Sequence, residues 1–169
     1  MPYRVLTLIL LLWTVALPGC SEVAAPLTGP PPQIAADAVR LDPEAARRSI
    51  NAYRRSRGLQ PLAINPLLTR AAQAHARDLA SHDRISHKGS DGSDPWQRVR
   101  RAGYEPRLAA ENVGVGQRSI AEVIRGWQNS PGHNRNLLLP DATQMGIALV
   151  TDSRTRYGTF WTLVLASPL

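Results

Sequence analysis

Helical segments come first in this chain and the main strand segments come last, and this order constrains the possible folds most strongly. Residues 145–151 and 159–166 are rich in β-branched, leucine and aromatic side chains, which favours strands. Residues 152–156 between them include Asp and Ser and predict a hairpin turn. A shorter strand is predicted at 112–115. We therefore predict an α+β domain in which helices pack on a small antiparallel sheet.

Capping residues predict four helices before residue 130. Three of them begin at an Asp-Pro or Asn-Pro pair, because Asp or Asn caps a helix and proline fits its first turn. The first helix is predicted to begin at 42–43 and to stop at Gly58. The second begins at 65–66, and the third begins at 94–95 and stops at Gly103. Ser119 and Glu122 form a predicted capping box for the fourth helix, which extends through Gln128. We predict that His75, in the second helix, is packed or half-exposed and does not bind a ligand.

The composition indicates one folded domain. The 169 residues are 43% hydrophobic and 20% charged, which is typical of a globular chain with its own core. The formal charge of +7 comes almost entirely from arginine, and we predict that the arginines clustered on helices form solvated faces. The clustered arginines are Arg47, Arg48, Arg54, Arg55, Arg57, Arg98, Arg100 and Arg101. The sequence contains no zinc-finger, helix-turn-helix or ribonucleoprotein motif, so we predict no nucleic-acid partner.

The first 19 residues predict a signal peptide for export. Arg4 precedes an apolar run at residues 5–17 that is too short to span a membrane. Cys20 follows this run and is the only cysteine, so it forms no internal disulfide. The arrangement resembles a bacterial lipoprotein signal, which implies cleavage before Cys20 and lipid modification of that residue. The alternative is an ordinary signal peptide with an incidental cysteine.

Residues 20–40 are predicted to form a proline-rich linker between the lipidated Cys20 and the folded domain. The lipid chains would attach the protein to a membrane of the cell envelope. Ser21 stands where an aspartate would resemble an inner-membrane retention signal, and this favours the outer membrane.

Polar residues at three separate points among amphipathic segments predict a cleft. They are Ser86-His87, Glu111-Asn112, and the stretch from Trp127 through Ser130-Pro131-Gly132-His133 to Asn136. We interpret the Ser-Pro-Gly-His stretch as a turn. The spacing of the two histidines and the glutamate is not that of a compact zinc motif, so only the fold could bring them together.

These segments, in this order, resemble the CAP superfamily, also called the SCP-like extracellular domain. The matching pieces are 86–87 with 91–92, 110–113, 127–138, 145–148 and 160–162. The resemblance covers about residues 41–167 and indicates a domain at 41–169. It implies an α-β-α sandwich, in which helices flank the sheet and a polar cleft lies on one side.

The resemblance also implies which residues mark the cleft. The family has two histidines and two glutamates there, and His87, Glu111 and His133 match three of the four positions. The second glutamate is expected shortly after Trp127, where this chain has Gln128-Asn129-Ser130. Asn136 either lines the cleft or caps a turn.

Two interpretations of the cleft follow from its residue types. His87 and His133 could hold Zn²⁺ or another divalent cation, since neutral imidazole is a common ligand for such ions. Alternatively, His87, Glu111 and His133 form a hydrogen-bonded network that positions loops. No cofactor is required in the second case.

We therefore predict a lipid-anchored binding module of the cell envelope. Its cleft would bind a small ligand, a divalent cation or an envelope component. The alternative is a metal-assisted hydrolase in which a cation on His87 and His133 activates water and Glu111 acts as general base. The missing second glutamate favours a binding role over an enzyme. A serine hydrolase is disfavoured because the sequence contains no Gly-x-Ser-x-Gly motif.

Overall fold

A computed structural model of the chain describes residues 39–169. It contains five helices and four strands in this part of the chain. In chain order they are α1 (Pro43–Arg55), β1 (Ala63–Ile64), α2 (Pro66–Ser81), α3 (Pro95–Arg101), β2 (Pro106–Val115), α4 (Ile120–Asn129), α5 (Pro131–Leu137), β3 (Gln144–Asp152) and β4 (Gly158–Pro168). The predicted signal peptide, Cys20 and the linker up to residue 38 lie outside the described residues.

The four strands form one sheet in the order β1-β3-β4-β2. Strand β4 pairs antiparallel with both β2 and β3, as in the registers Glu111↔Val164 and Gly146↔Val164. The two-residue strand β1 pairs parallel with β3, so the sheet is mixed and not purely antiparallel as predicted. Strand β2 also begins at Pro106, well before the predicted 112–115 segment. The α+β class is confirmed.

Both faces of the sheet are buried, which produces the three layers of an α-β-α sandwich. Along β4, Trp161, Leu163 and Leu165 belong to the core cluster that includes residues of α1, α4 and α5. Their neighbours Val164 and Ala166 belong to a second cluster with residues of α2 and α3. Successive side chains of a strand point to opposite faces, so one strand supplies both cores. The predicted sandwich is therefore confirmed.

Strand β3 and helix α2 approach each other closely at Gly146. A Cβ atom at this position would collide with the backbone of Leu68 and Thr69. Only glycine permits this separation between the strand and the helix. The contact fixes α2 on the sheet, and the C-terminal end of α2 leads directly into the loop that carries His87.

The predicted helix starts are confirmed. The side chains of Asp42, Asn65, Asp94 and Ser119 all accept hydrogen bonds from backbone N–H groups in the first turn of their helices. The capping box at the fourth helix is only half present, because Glu122 accepts from Arg118 N at 2.8 Å. The predicted turn at 130–133 is wrong: Pro131 occupies the first turn of helix α5.

Arg54 does not form part of a solvated face. It is fully buried, and its guanidinium donates to the carbonyl oxygens of Gln60, Leu137, Leu139 and Ala142 at 2.8–3.2 Å. These bonds connect the C-terminal end of α1 to the C-terminal end of α5. Helix α5 carries His133 and Asn136. Burial lowers the pKa of Arg54 below its ordinary value.

Within residues 39–169, no helix combines the length and hydrophobicity needed to cross a membrane.

Candidate functional site

Three elements that are distant in sequence bring the predicted cleft residues together. His87 lies in the loop between α2 and α3, Glu111 lies in β2, and His133 lies in the first turns of α5. The imidazole rings of His87 and His133 face each other edge to face, with 6.1 Å between their centroids. The fold thus assembles a pair that no local sequence motif could form.

The Glu111 carboxylate lies behind the histidine pair and is almost inaccessible, with 1% of its side chain exposed. Oε1 accepts a hydrogen bond from His87 Nδ1 at 3.0 Å. Oε2 accepts from the guanidinium of Arg98 at 2.7 Å. A buried carboxylate is stable as an anion only when it is paired in this way. Glu111 therefore serves as the buried anchor of the site.

Arg98 orients both Glu111 and the loop that carries His87. Besides the carboxylate, its guanidinium donates to the carbonyl oxygen of His87 at 3.0 Å and to that of Ser93 at 2.8 Å. Arg98 is 7% exposed, so the predicted solvated face is wrong for this residue as well. The planar guanidinium can hold three acceptors in fixed directions, which an exposed lysine would not do.

His75 is a member of the site that the sequence did not identify as one. It is buried, the first of the two predicted alternatives, and its Nε2 lies 2.8 Å from the Ser86 carbonyl oxygen and 3.5 Å from Glu111 Oε1. Burial lowers the pKa of His75, while the nearby Glu111 carboxylate acts in the opposite direction. A buried imidazole needs a polar partner. The position of His75 on the apolar face of α2 was therefore the available sequence signal that it could belong to the site.

Helix α5 is attached to β2 through asparagine side chains. Asn136 donates to the Glu111 carbonyl oxygen and to Asn112 Oδ1, both at 2.9 Å, and Asn112 donates to the His133 carbonyl oxygen at 3.0 Å. Asn136 thus holds the two halves of the site together and does not cap a turn. His133 is half-buried. Its pKa is lowered mainly by burial and to a smaller extent by the neighbouring His87.

The hydrogen bond between His87 and Glu111 decides which nitrogen of His87 is available. Because a carboxylate only accepts, Nδ1 carries the proton and Nε2 is left with a free lone pair. The side chain of His87 is 52% exposed. A carboxylate behind an imidazole is the arrangement that orients histidine ligands in metal sites. The pair could therefore supply two ligands to a divalent cation.

The residues around the pair add no further metal ligand. Among residues 39–169, no group of three or more His, Cys, Asp or Glu side chains is arranged to hold a metal ion. Gln128, Asn129 and Ser130, which stand where the resemblance implies a second glutamate, lie at the junction of α4 and α5. Glu122 is exposed near the start of α4 and bonds to Arg118 N, so it does not replace that glutamate.

Comparison with known proteins gives the wider context. The cysteine-rich secretory protein family, CAP, matches residues 47–165 of this chain. The uncharacterized protein YkwD of Bacillus subtilis is 32% identical over 112 residues, which make up 66% of this chain and 42% of that protein. The uncharacterized membrane protein YlbC of the same organism is 25% identical over 99 residues, or 59% of this chain and 29% of that protein. This chain therefore spans less than half the length of these relatives.

Solved structures show the same fold. An outer surface protein from Borrelia burgdorferi superposes with a TM-score of 0.68 and 21% identity, covering 75% of this chain and 92% of that protein. An extracellular SCP-domain protein from Bacillus anthracis gives a TM-score of 0.62 and 24% identity, covering 75% of this chain and 44% of that one. The family match extends over nearly all of the sandwich. This chain therefore belongs to the cysteine-rich secretory protein (CAP) family.

Proposed function

We propose that this protein is an extracytoplasmic binding module, and that its His87–His133 cleft binds a divalent cation or a small polar ligand. The observation that carries the proposal is the hydrogen bond from His87 Nδ1 to the buried Glu111 carboxylate at 3.0 Å. This bond fixes the ring while its other nitrogen remains accessible. A loop-positioning network alone would not require half of the His87 side chain to be exposed.

The state of His133 supports cation binding. Burial and the neighbouring His87 lower its pKa, which favours the neutral imidazole that binds metals. Two imidazoles satisfy only part of the coordination of a zinc ion, so water or a donor atom of a ligand would complete it. The cation would then act as the point at which a small ligand attaches.

Glu111 supports a binding role over hydrolysis. A general base must reach the water molecule that it activates. Both oxygens of Glu111 already accept hydrogen bonds, and its side chain is 1% exposed. The metal-assisted hydrolase is therefore the weaker alternative for this site.

Calorimetric titration of the purified protein with Zn²⁺ tests the proposal. We expect the wild-type protein to bind one ion and the double variant His87→Ala, His133→Ala to lose this binding, because both proposed ligands are removed. The matched control is His82→Ala, which removes an exposed histidine at the end of α2, outside the cleft. Equal heats from the wild-type protein and the double variant would rule out cation binding by this pair.

We also propose that the protein is exported and anchored through a lipid on Cys20, followed by a linker to the sandwich. The signal-like residues 1–19 support this, and two structural relatives are described as outer surface or extracellular proteins. Cys20→Ala should move the protein from the membrane fraction to the soluble fraction of cells. A membrane fraction unchanged by this substitution would contradict the anchor.

A further inference from the structure

A cavity separate from the histidine pair lies between α2, the loop at 89–93 and α3. Its volume is about 780 Å³, and neither His87, Glu111 nor His133 lines it. Volumes of this order are typical of sites for small organic ligands. The cavity is therefore large enough for a ligand of its own.

Hydrogen bonds at both ends hold this cavity in shape. Near one end, Arg70 of α2 donates to the carbonyl oxygen of Ala102, just after α3, at 3.1 Å. Near the other end, Asp78 of α2 accepts from the backbone N–H of Ser90 at 3.0 Å. Both contacts join α2 to the opposite wall. The space between them is thus a structured feature and not a gap between mobile segments.

The charge of the cavity wall favours an anion. Four arginines and two aspartates line the cavity. Both aspartates are already engaged, since Asp78 accepts from Arg84 at 3.4 Å and Asp91 accepts from Arg101 at 2.6 Å. The guanidinium of Arg77, which is exposed on this wall, makes no hydrogen bond or ion pair with any residue of 39–169. Its guanidinium is free to bind a ligand.

The inner wall of the cavity combines small apolar and polar groups. Ala71 and Ala74 of α2 offer apolar surface. His75 also lines the cavity, and its buried Nδ1 has no hydrogen-bond partner in the described part of the chain. Because Nε2 faces the Ser86 carbonyl oxygen and carries the proton, Nδ1 is an unused acceptor.

We propose that this cavity binds a small organic anion, and that Arg77 holds its carboxylate or phosphate group. A guanidinium presents a planar set of donors that matches both oxyanions. The anion could be a free solute or the headgroup of an anionic lipid. This site does not depend on the cation site, although His75 and Arg98 line the cavity and also contact Glu111.

Titration of the protein with glycerol 3-phosphate or citrate, monitored through the NMR signals of the arginine side chains, tests the proposal for free anions. Vesicles of phosphatidylcholine with and without phosphatidylglycerol test the lipid source. We expect saturable binding to at least one probe, and Arg77→Ala should weaken it about tenfold by removing a charge-assisted hydrogen bond. The matched control is Arg125→Ala, an exposed arginine of α4 on the other side of the sheet, which should leave binding unchanged.

Three outcomes would overturn the proposal. One is the absence of saturable binding to every probe. Another is an equal loss in Arg125→Ala, which would indicate non-specific attraction to a basic protein. The third is a loss of anion binding in the His87→Ala, His133→Ala variant with Arg77→Ala unaffected, which would place the anion in the histidine cleft. Thermal unfolding of each variant verifies that it is folded.

Discussion

At the scale of single residues, Glu111 is the group on which the site depends most. One buried carboxylate contacts His87 and Arg98 directly and lies 3.5 Å from His75. Burying an anion and a guanidinium is costly, and their mutual attraction offsets that cost only while both are present. Removal of either partner therefore leaves an uncompensated charge in the interior.

Glu111→Ala should reduce the free energy of unfolding by about 3–5 kcal/mol, the usual cost of breaking a buried ion pair. Urea denaturation of the variant measures this. The control is Glu122→Ala, because Glu122 is exposed and its loss costs about 1 kcal/mol at most for one surface capping contact. If the two substitutions cost the same, the buried pair does not stabilise the site as described.

The residues of the cleft differ in how far the sequence predicts them. His87, Glu111 and His133 follow from the resemblance to the family, which fixes their order along the chain. Arg98 and His75 do not, because each lies in a helix where an amphipathic pattern is compatible with either exposure or burial. Their roles depend on which face of α3 and α2 meets β2, and only the tertiary structure determines that.

At the scale of elements, α5 shows how packing overrides local preference. Its sequence contains Gly132, Asn134 and Asn136, which have low helix propensity, so local preference predicts a turn. The helix forms because Leu137 is fully buried, Asn136 bonds to β2, and Arg54 caps the final carbonyl groups. Those contacts come from distant parts of the chain, so no local pattern predicts them.

The close packing of α2 on β3 yields a prediction at the same scale. Gly146→Ala should destabilise the protein by at least about 1–3 kcal/mol, because the added methyl group meets backbone atoms that cannot rotate away. The control is Gly126→Ala in α4, where no atom lies near the added group. Alanine favours helix, so this change should stabilise by about 0.5–1 kcal/mol. Thermal or urea denaturation compares the two, and equal effects would contradict the close approach.

At the scale of the whole molecule, the stability should depend on histidine protonation. Folding lowers the pKa values of His75 and His133. At a pH below the ordinary histidine pKa of about 6.5, the folded state therefore binds fewer protons than the unfolded chain. Above that pH, both histidines are neutral in the folded and in the unfolded state, so they do not change the free energy of unfolding with pH. As the pH falls from about 6.5 towards the folded pKa values, stability is lost.

We therefore expect the free energy of unfolding to decrease as the pH is lowered from about 7.5 to about 5.5, a range in which histidines dominate the titration. His75→Gln should reduce this dependence, because glutamine can still donate to the Ser86 carbonyl oxygen but does not titrate in this range. Urea denaturation at several pH values provides the measurement. A stability that is constant over this range, or an unchanged slope in the variant, would contradict the assigned pKa shift of His75.

The overall architecture follows from the sequence more fully than its details do. The order of helices and strands predicts the α+β class, and the family resemblance implies the three layers. Strand β1 is too short to show a pattern, with only Ala63 and Ile64, and its parallel pairing with β3 arises from the path of the chain after α1. The buried Arg54 is equally a property of the assembled molecule, since its acceptors come from two other segments.

The most direct test of the central claim is a crystal of the protein soaked with zinc and measured at the zinc absorption edge. We expect an anomalous peak between His87 and His133, about 2.0–2.1 Å from one nitrogen of each ring. The His87–Glu111 hydrogen bond should remain in place behind the ion. Crystals with no peak at this position, or with zinc bound only elsewhere, would contradict the proposal that the pair is a cation site.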